Sequence, residues 1–312
     1  MIITITMNPA IDKTVEIEDF VHGGLNRIKY ITKDAGGKGI NVSKTIKALG
    51  GESLATGFLG GEAGNTIRGI LEKQNIRQDF VMISPETRVN TKIVEDGGCV
   101  TELNECGPMV EEIFMKELLN KLEEYLKEKD LLILSGSIPN GVAKNIYKEL
   151  TEYAHSKGAN VFVDADGELL ANALLVDPDI VKPNIVELEK YVGHSLDTKE
   201  EIVQAGIGLL DKGVKTVIIS LGAEGAYFID KKHTLYSPGL TVDVHSTVGA
   251  GDAMVAAFAY GLNLNLSFEE CAKLAIATSA GAVTTVGTKP PERTLVNELL
   301  DKVILVKNCL KV

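Results

Sequence analysis

Apolar residues fall along this chain in short unbroken runs separated by stretches with helical spacing. Leu131-Leu132-Ile133-Leu134 precedes a helical pattern from about Ala143 to Ser156. Val161-Phe162-Val163 is followed by a shorter helical stretch and then by Asp179-Ile180-Val181. A helical segment around Glu200–Asp211 leads into Thr216-Val217-Ile218-Ile219, and the chain itself starts on the strand-like Ile2-Ile3-Thr4-Ile5. Continuous apolar strands alternating with helices predict a mostly parallel sheet covered on both faces.

Two segments break this rhythm. Lys13–Phe20 and Asn26–Lys33 alternate like half-exposed strands, as do Arg88–Val94 and Val100–Asn104, which are joined through Glu95-Asp96-Gly97-Gly98. Asp-Gly between alternating strands is a hairpin signal. The pattern predicts a small antiparallel sheet inserted into the main unit. Residues 13–33 and 87–105 form this β lid, and 1–12, 34–86 and 106–312 form the α/β core. The alternative reading is a surface decoration without function.

Composition changes the picture little. The 312 residues are 45% hydrophobic and 24% charged, ordinary values for a folded α/β chain. The net charge of -11 argues against a nucleic-acid partner, which wants a basic face. It leaves room for an anionic substrate, because Arg27, Lys29, Lys38, Arg88, Lys92 and Lys182 can form a local basic cluster. Cys99, Cys106, Cys271 and Cys309 have no metal-type spacing and read as unpaired, buried thiols. The five histidines form no catalytic or metal pattern and read as structural or solvent-facing. No basic leader precedes the first strand and no apolar run is long enough for a membrane, so the expectation is a cytoplasmic chain without membrane partners.

Candidate chemistry concentrates in glycine-rich turns. Thr247-Val248-Gly249-Ala250-Gly251-Asp252-Ala253 runs straight into an apolar helical pattern. Glycine allows close backbone approach, and a helix start offers free N–H groups and a positive dipole end. Together they seat phosphate oxygens, and an aspartate beside that seat can take a proton from an attacking hydroxyl. The second cluster, Ala35-Gly36-Gly37-Lys38-Gly39-Ile40-Asn41-Val42, precedes another helix. It is no P-loop, since Gly39 stands where Ser or Thr is required, and no dinucleotide fingerprint, since Val42 replaces the third glycine. It remains a donor-rich loop, with Asn41 in the first helical turn.

Three further turns follow strands. Asp12, in Asn8-Pro9-Ala10-Ile11-Asp12, suits either sugar hydroxyls or a turn. Asn184 and Glu187 either orient water around Mg²⁺ or form a capping box. Gly222 and Gly225 either close a hairpin or let backbone fold over a nucleotide.

Taken together, these motifs resemble the ribokinase-like carbohydrate kinases, and among them the phosphofructokinase-B family, over essentially the whole length. The Thr247–Ala253 and Gly36–Val42 signatures carry the resemblance. Met7–Asp12, Ser135–Pro139 and Lys182–Glu187 are most similar to the bacterial 1-phosphofructokinase and tagatose-6-phosphate kinase branch. The resemblance implies a three-layer α/β/α fold with a β lid, ATP and Mg²⁺ as cosubstrate and cofactor, and a homodimer through the lid. It implies Asp252 as catalytic base, with Gly249, Ala250 and Gly251 as the anion hole. Asp12, Gly37, Lys38 and Asn41 would hold the sugar, Arg88 its phosphate with help from Arg27, and Ser137 would lie near it. Asn184 and Glu187 would position Mg²⁺ through water, while Ser220, Gly222, Gly225 and Thr247 would line the ATP site. Lys92 and Asn104 look more like 1-phosphofructokinases, which favours fructose 1-phosphate. Tagatose 6-phosphate and fructose 6-phosphate stay open, as does a non-catalytic sugar-phosphate and nucleotide sensor.

Overall fold

The computed structural model describes residues 1–307. From the N-terminus, β1 (Ile2–Thr6) leads to β2 (Ala10–Ile17), and β3 (Tyr30–Gly36) leads to α1 (Lys38–Ala48). β4 (Leu54–Gly60) and α2 (Gly61–Lys73) are followed by the short β5 (Arg77–Gln78) and β6 (Val81–Ile83), then by β7 (Arg88–Glu95) and β8 (Val100–Leu103). Next come α3 (Glu112–Tyr125), β9 (Leu131–Ser135), α4 (Ile146–Ser156), β10 (Asn160–Asp164) and α5 (Gly167–Ala173). They are followed by β11 (Ile180–Val181), α6 (Ile185–Val192), α7 (Lys199–Leu210) and β12 (Thr216–Ser220). β13 (Ala226–Asp230), β14 (Thr234–Ser237), α8 (Ala250–Asn263), α9 (Phe268–Ala282), α10 (Arg293–Leu300) and β15 (Val306–Lys307) complete the described chain.

The main sheet has the order β15-β14-β13-β12-β11-β10-β9-β1-β4-β5, with β6 also on β4. It is parallel from β4 and its partners through β12 and antiparallel beyond. Alternate residues of the parallel strands feed two separate cores. Ile3, Ile5, Leu132, Leu134, Val161, Val163, Val217 and Ile219 pack with α3 to α7 on one face. Ile2, Ile133, Phe162, Ile180 and Ile218 pack with α1, α8, α9 and α10 on the other. Unbroken apolar runs are thus explained by burial on both sides, each such side chain contributing about 1.5–3 kcal/mol. The result is the expected three-layer α/β/α arrangement.

The small sheet has the order β3-β2-β7-β8. β2 pairs antiparallel with β3, and β7 with β8. The central pair is parallel, Ala10 opposite Arg88 through Ile17 opposite Glu95, because β2 and β7 leave the core side by side. The first two strands also lie about three residues nearer the core than the alternation of Lys13–Phe20 and Asn26–Lys33 predicts. Their ends are set by partners distant in sequence, and residues between Ile17 and Tyr30 form no strand.

The cysteine expectation needs correction. Cys271 is buried, but Cys99 and Cys106 are exposed, both lying in turns of the lid and its return to the core. Cys309 lies outside the described residues. Among the described residues no helix is long and apolar enough to cross a membrane.

Candidate active site

A cavity of about 790 Å³ opens at the carboxyl ends of the parallel strands, bounded by the small sheet on one side. Thr6 at the end of β1, Ser135 at the end of β9, Asp164 at the end of β10 and Ser220 at the end of β12 all line it. This is where parallel α/β sheets leave a crevice. All but two of the candidate residues read from the sequence line this cavity: Asp12, Gly37, Lys38, Asn41, Arg88, Lys92, Asn104, Ser137, Lys182, Asn184, Glu187, Ser220, Gly222, Gly225, Thr247, Gly249, Ala250, Gly251 and Asp252.

Lys29 of the expected basic cluster pairs with Asp96 instead, and the other exception is Arg27. It is exposed in the segment between β2 and β3 and does not line the cavity. That segment leaves the core with β2, which carries Arg27 away from the carboxyl ends.

Asp252 stands in the first turn of α8, only 6% exposed yet facing the cavity. Its Oδ2 accepts a hydrogen bond from Asn41 Nδ2 at 2.8 Å. Burial, reinforced by the nearby Asp164 charge and moderated by Lys38, raises its pKa to about 6. A carboxylate with an ordinary pKa near 4 would be a feeble base, so burial brings Asp252 closer to what proton transfer at neutral pH requires.

The local fold explains why α8 ends here. Residues 252–261 are all buried, so the helix is apolar on every side and runs through the core between α1 and α9. Its N-cap, Gly249, has φ 85°, a left-handed conformation costing a side-chain-bearing residue about 1–2 kcal/mol. At Gly251 a Cβ would stand 3.3 Å from Lys182 Nζ, so the absent side chain lets an ammonium group sit beside the first-turn amides. Amides at this position have no intrahelical acceptor and attract anions.

The carboxylate that organises these cations is Asp164, which the sequence did not single out. It is almost fully buried, with Oδ1 3.2 Å from Lys182 Nζ and 3.5 Å from Lys38 Nζ. Burial alone would raise its pKa, but Lys182 and Lys38 together hold it below the usual carboxylate range. Asp164 in turn raises that of Lys38, so both remain charged. The available signal was its position directly after Val161-Phe162-Val163, at a strand's carboxyl end.

Asn184 and Glu187 form the capping box of α6. Asn184 Oδ1 accepts from the Glu187 amide and Glu187 Oε2 from the Asn184 amide, each at 2.9 Å. Both still line the cavity, so capping and a ligand role coexist. Gly222 and Gly225 flank a tight turn between the antiparallel β12 and β13, at the cavity wall. Ser137 Oγ accepts from Asn8 Nδ2 at 3.4 Å.

The lid supplies a second polar cluster. Asp12 sits in β2 directly opposite Asn90 of β7, whose Nδ2 donates to Asp12 Oδ1 at 3.2 Å. Lys92 pairs with Glu102 of β8 at 3.4 Å. Arg88 is more engaged than expected. Its guanidinium donates to the Asn8 and Glu105 carbonyls, each at 2.9 Å, and to the Pro9 carbonyl at 3.4 Å. It therefore staples the root of the lid while still facing the cavity, and burial lowers its pKa.

Several wall atoms are buried without a protein partner: Thr6 Oγ1, Asn8 Oδ1, Asn41 Oδ1, Ser135 Oγ and Asp164 Oδ2. Unpaired buried polar groups cost free energy unless a ligand or water meets them. The site thus offers a base and phosphate-type donors at one end, and lid cations and hydroxyl acceptors at the other. Among the described residues no three His, Cys, Asp or Glu side chains come together as a metal cage.

Comparison with known proteins agrees with this geometry. The family model described as "pfkB family carbohydrate kinase" matches residues 1–295. The 1-phosphofructokinase of Bacillus subtilis is 35% identical over 303 residues, 97% of this chain and 98% of that relative. The solved structure of phosphofructokinase-2 from Escherichia coli superposes with a TM-score of 0.92 at 29% identity, covering 96% of this chain and 98% of that one. Ribokinase from Thermotoga maritima shares the fold, with a TM-score of 0.79 at 24% identity over 96% and 99% of the two chains.

Proposed function

The chain belongs to the pfkB family of carbohydrate kinases, and we propose that it transfers the γ-phosphoryl group of ATP to the 6-hydroxyl of fructose 1-phosphate. The products are fructose 1,6-bisphosphate and ADP. The observation that carries this reading is the joint placement, in one cavity, of Asp252 beside the α8 amides and of Arg88 and Lys92 on the lid side. The similarity to 1-phosphofructokinases over nearly the whole chain supports the choice of sugar.

In this reading the sugar hydroxyls rest on Asp12 and Asn41 beside the Gly37–Lys38 turn, with Ser137 nearby. The 1-phosphate lies toward Arg88 and Lys92, since a guanidinium fork matches phosphate geometry. Ser220, Gly222, Gly225 and Thr247 line the nucleotide side. As the 6-oxygen bonds to phosphorus, its proton passes to Asp252, and the bond from phosphorus to the β–γ bridging oxygen breaks, releasing ADP. The amides of Gly249, Ala250 and Gly251, with Lys182 and Lys38, receive the charge spread over the transferring group. Little covalent chemistry is required, so alignment and charge neutralisation carry most of the acceleration.

Mg²⁺ fits this site as an ion bound chiefly by phosphate and water. Glu187 retains one carboxylate oxygen outside its capping bond, and Asp164 Oδ2 is buried without a partner. These two, with Asn184, would hold the hydrated ion, which needs only one or two carboxylates beside the phosphates. When bound, Mg²⁺ neutralises charge on the nucleotide phosphates.

The small sheet acts as a lid that closes over the sugar phosphate and excludes water, limiting ATP hydrolysis. Its outer face exposes Ile31 and Leu103, and the segment between β2 and β3 exposes Val21, Leu25 and Ile28, apolar surface suited to a homodimer through the lid. Sedimentation should accordingly give about twice the 33.5 kDa chain mass, and Leu25→Asp should shift the protein toward the single chain. A parent chain that sediments as a monomer at micromolar concentration would remove the dimer. ATP as the phosphoryl donor favours a cytoplasmic location.

Incubation with Mg-ATP and each sugar phosphate, while ADP is followed, tests the substrate. Fructose 1-phosphate is expected to give a kcat/KM at least about tenfold above tagatose 6-phosphate and fructose 6-phosphate, a difference of about 1.4 kcal/mol. Preference for another sugar would reassign the substrate. ADP no higher than background with any of them would make the protein a sensor.

A further inference from the structure

Lys44 stands on α1 and is buried, yet no step of the reaction uses it. Its Nζ donates to Asp34 Oδ2 at 2.6 Å and to the Ala35 carbonyl at 3.1 Å. Both partners end β3, just before the glycine turn that returns to α1. The lysine thus ties the two sides of that turn together, and the turn carries Lys38 and Asn41 into the cavity.

Asp34 lies directly opposite Asp12 in the β2–β3 register, and Asn90 lies opposite Asp12 on the other side. Two like charges facing each other across neighbouring strands are destabilising. Lys44 is the cation set against this pair from the helix side, bonded to one carboxylate and acting on the other through space. The charged groups that face Asp12 are therefore Lys44 from α1, Asp34 from β3, and Arg88 and Lys92 from β7, with Glu102 of β8 behind Lys92. Gly36 makes room for the Asp12 carboxylate, since a Cβ there would stand 2.2 Å from its Oδ2.

We infer that Lys44 and Asp34 form a positioning pair for sugar binding, clamping the glycine turn beside Asp12 and setting opposite charges against that carboxylate. The inference rests on the reading of Asp12 as the carboxylate that accepts the sugar hydroxyls. Burial pushes the Asp12 pKa up; the Asn90 hydrogen bond, Lys92 and then Lys44 oppose that rise, and Asp34 adds to it. An ionised Asp12 accepts hydrogen bonds with both oxygens, whereas a protonated one loses acceptor capacity. Sugar affinity should accordingly fall as pH drops through the Asp12 titration.

The test measures calorimetric affinity for fructose 1-phosphate between pH 5 and 8, in the full-length protein, expressed as the ratio to the parent chain. The ratio cancels the titration of the sugar phosphate itself. Lys44→Met should move the acid loss of affinity to higher pH, and Asp34→Asn should move it to lower pH by a smaller amount. Lys44→Arg should restore most of what Lys44→Met loses. ATP affinity should stay within about twofold throughout. A merely structural role would shift both single variants in the same direction, and that result would overturn the pairing.

Should Lys44→Met fail to fold, Asp34→Asn and Lys44→Arg still decide. Asp34 is partly exposed, and its loss leaves Lys44 bonded to the Ala35 carbonyl. A downward shift in Asp34→Asn supports the inference, and no shift or an upward one ends it. Asp12→Asn separates the two levels. Unchanged sugar affinity there would refute the role of Asp12 and the inference with it. A large loss there, combined with like-signed shifts in the Lys44 and Asp34 variants, would refute the inference alone.

Discussion

Asp252→Asn is expected to lower kcat by roughly 10²–10⁴-fold, the range typical of losing a positioned general base. The asparagine fills the same space and can still accept from Asn41, so ATP and sugar affinity should change little. The loss should therefore fall on kcat and kcat/KM alike, the pattern of an interaction made only during the reaction. The parent protein should also show an acid limb. Asp252 must be unprotonated to accept the hydroxyl proton, and its pKa of about 6 sets the midpoint. Activity rises through that pH and levels off above it, whereas below it each unit costs about tenfold. The residual activity of Asp252→Asn should lack this limb. Near-normal turnover, or an unchanged acid limb, would show that another group takes the proton.

Lys182→Met is expected to have the next largest effect, a fall in kcat of roughly 10²–10³-fold, as for removal of one donor to a developing charge. Lys182 is 4% exposed and anchored by Asp164, so its ammonium is already placed beside the α8 amides before substrate arrives. Fructose 1-phosphate affinity should remain within about threefold, because the sugar lies toward the lid. Part of any change could come from a destabilised fold, since an unpaired buried charge can cost about 3–5 kcal/mol. Lys38, 3.5 Å from the same carboxylate, limits that cost. Thermal unfolding of Lys182→Met beside the double variant Lys182→Met/Asp164→Asn separates the two contributions. The double variant should recover stability, showing how much of the loss is the uncompensated Asp164 charge. A Lys182→Met chain that is less stable than the parent but keeps its kcat within about threefold would reduce Lys182 to a structural ion-pair partner.

The parallel core was legible because doubly covered strands leave an unmistakable apolar pattern, and each of Leu131–Leu134, Val161–Val163 and Thr216–Ile219 became a strand. The small sheet was legible as alternation but not in its ends. Those ends depend on pairing between Ala10 and Arg88, far apart in sequence, which no local pattern records. Asp252 and the glycines before it were readable because their spacing already describes a helix start. Asp164 was not, since a strand-terminal aspartate has no distinguishing neighbours until folding brings Lys38 and Lys182 to it. Arg27 shows the converse: an arginine near basic and polar neighbours in sequence, whose chain segment leads it away from the cavity. Nor does sequence tell that Asn184 and Glu187 can cap a helix and face a ligand at once.

The parallel alignment of β2 with β7 gives the small sheet a fixed foot and a free tip. Asp12 and Arg88 are within two residues of the inner ends of these strands, and Arg88 is bolted there to three backbone carbonyls. Each residue adds about 3.3 Å of reach, so a 10° swing about the foot displaces Lys92 by about 2 Å and the far ends by about 4 Å. The same swing leaves Asp12 within about 1 Å of its place. Groups near the pivot thus act as a rigid gauge for the incoming molecule, while those farther along the lever tolerate differences in its length.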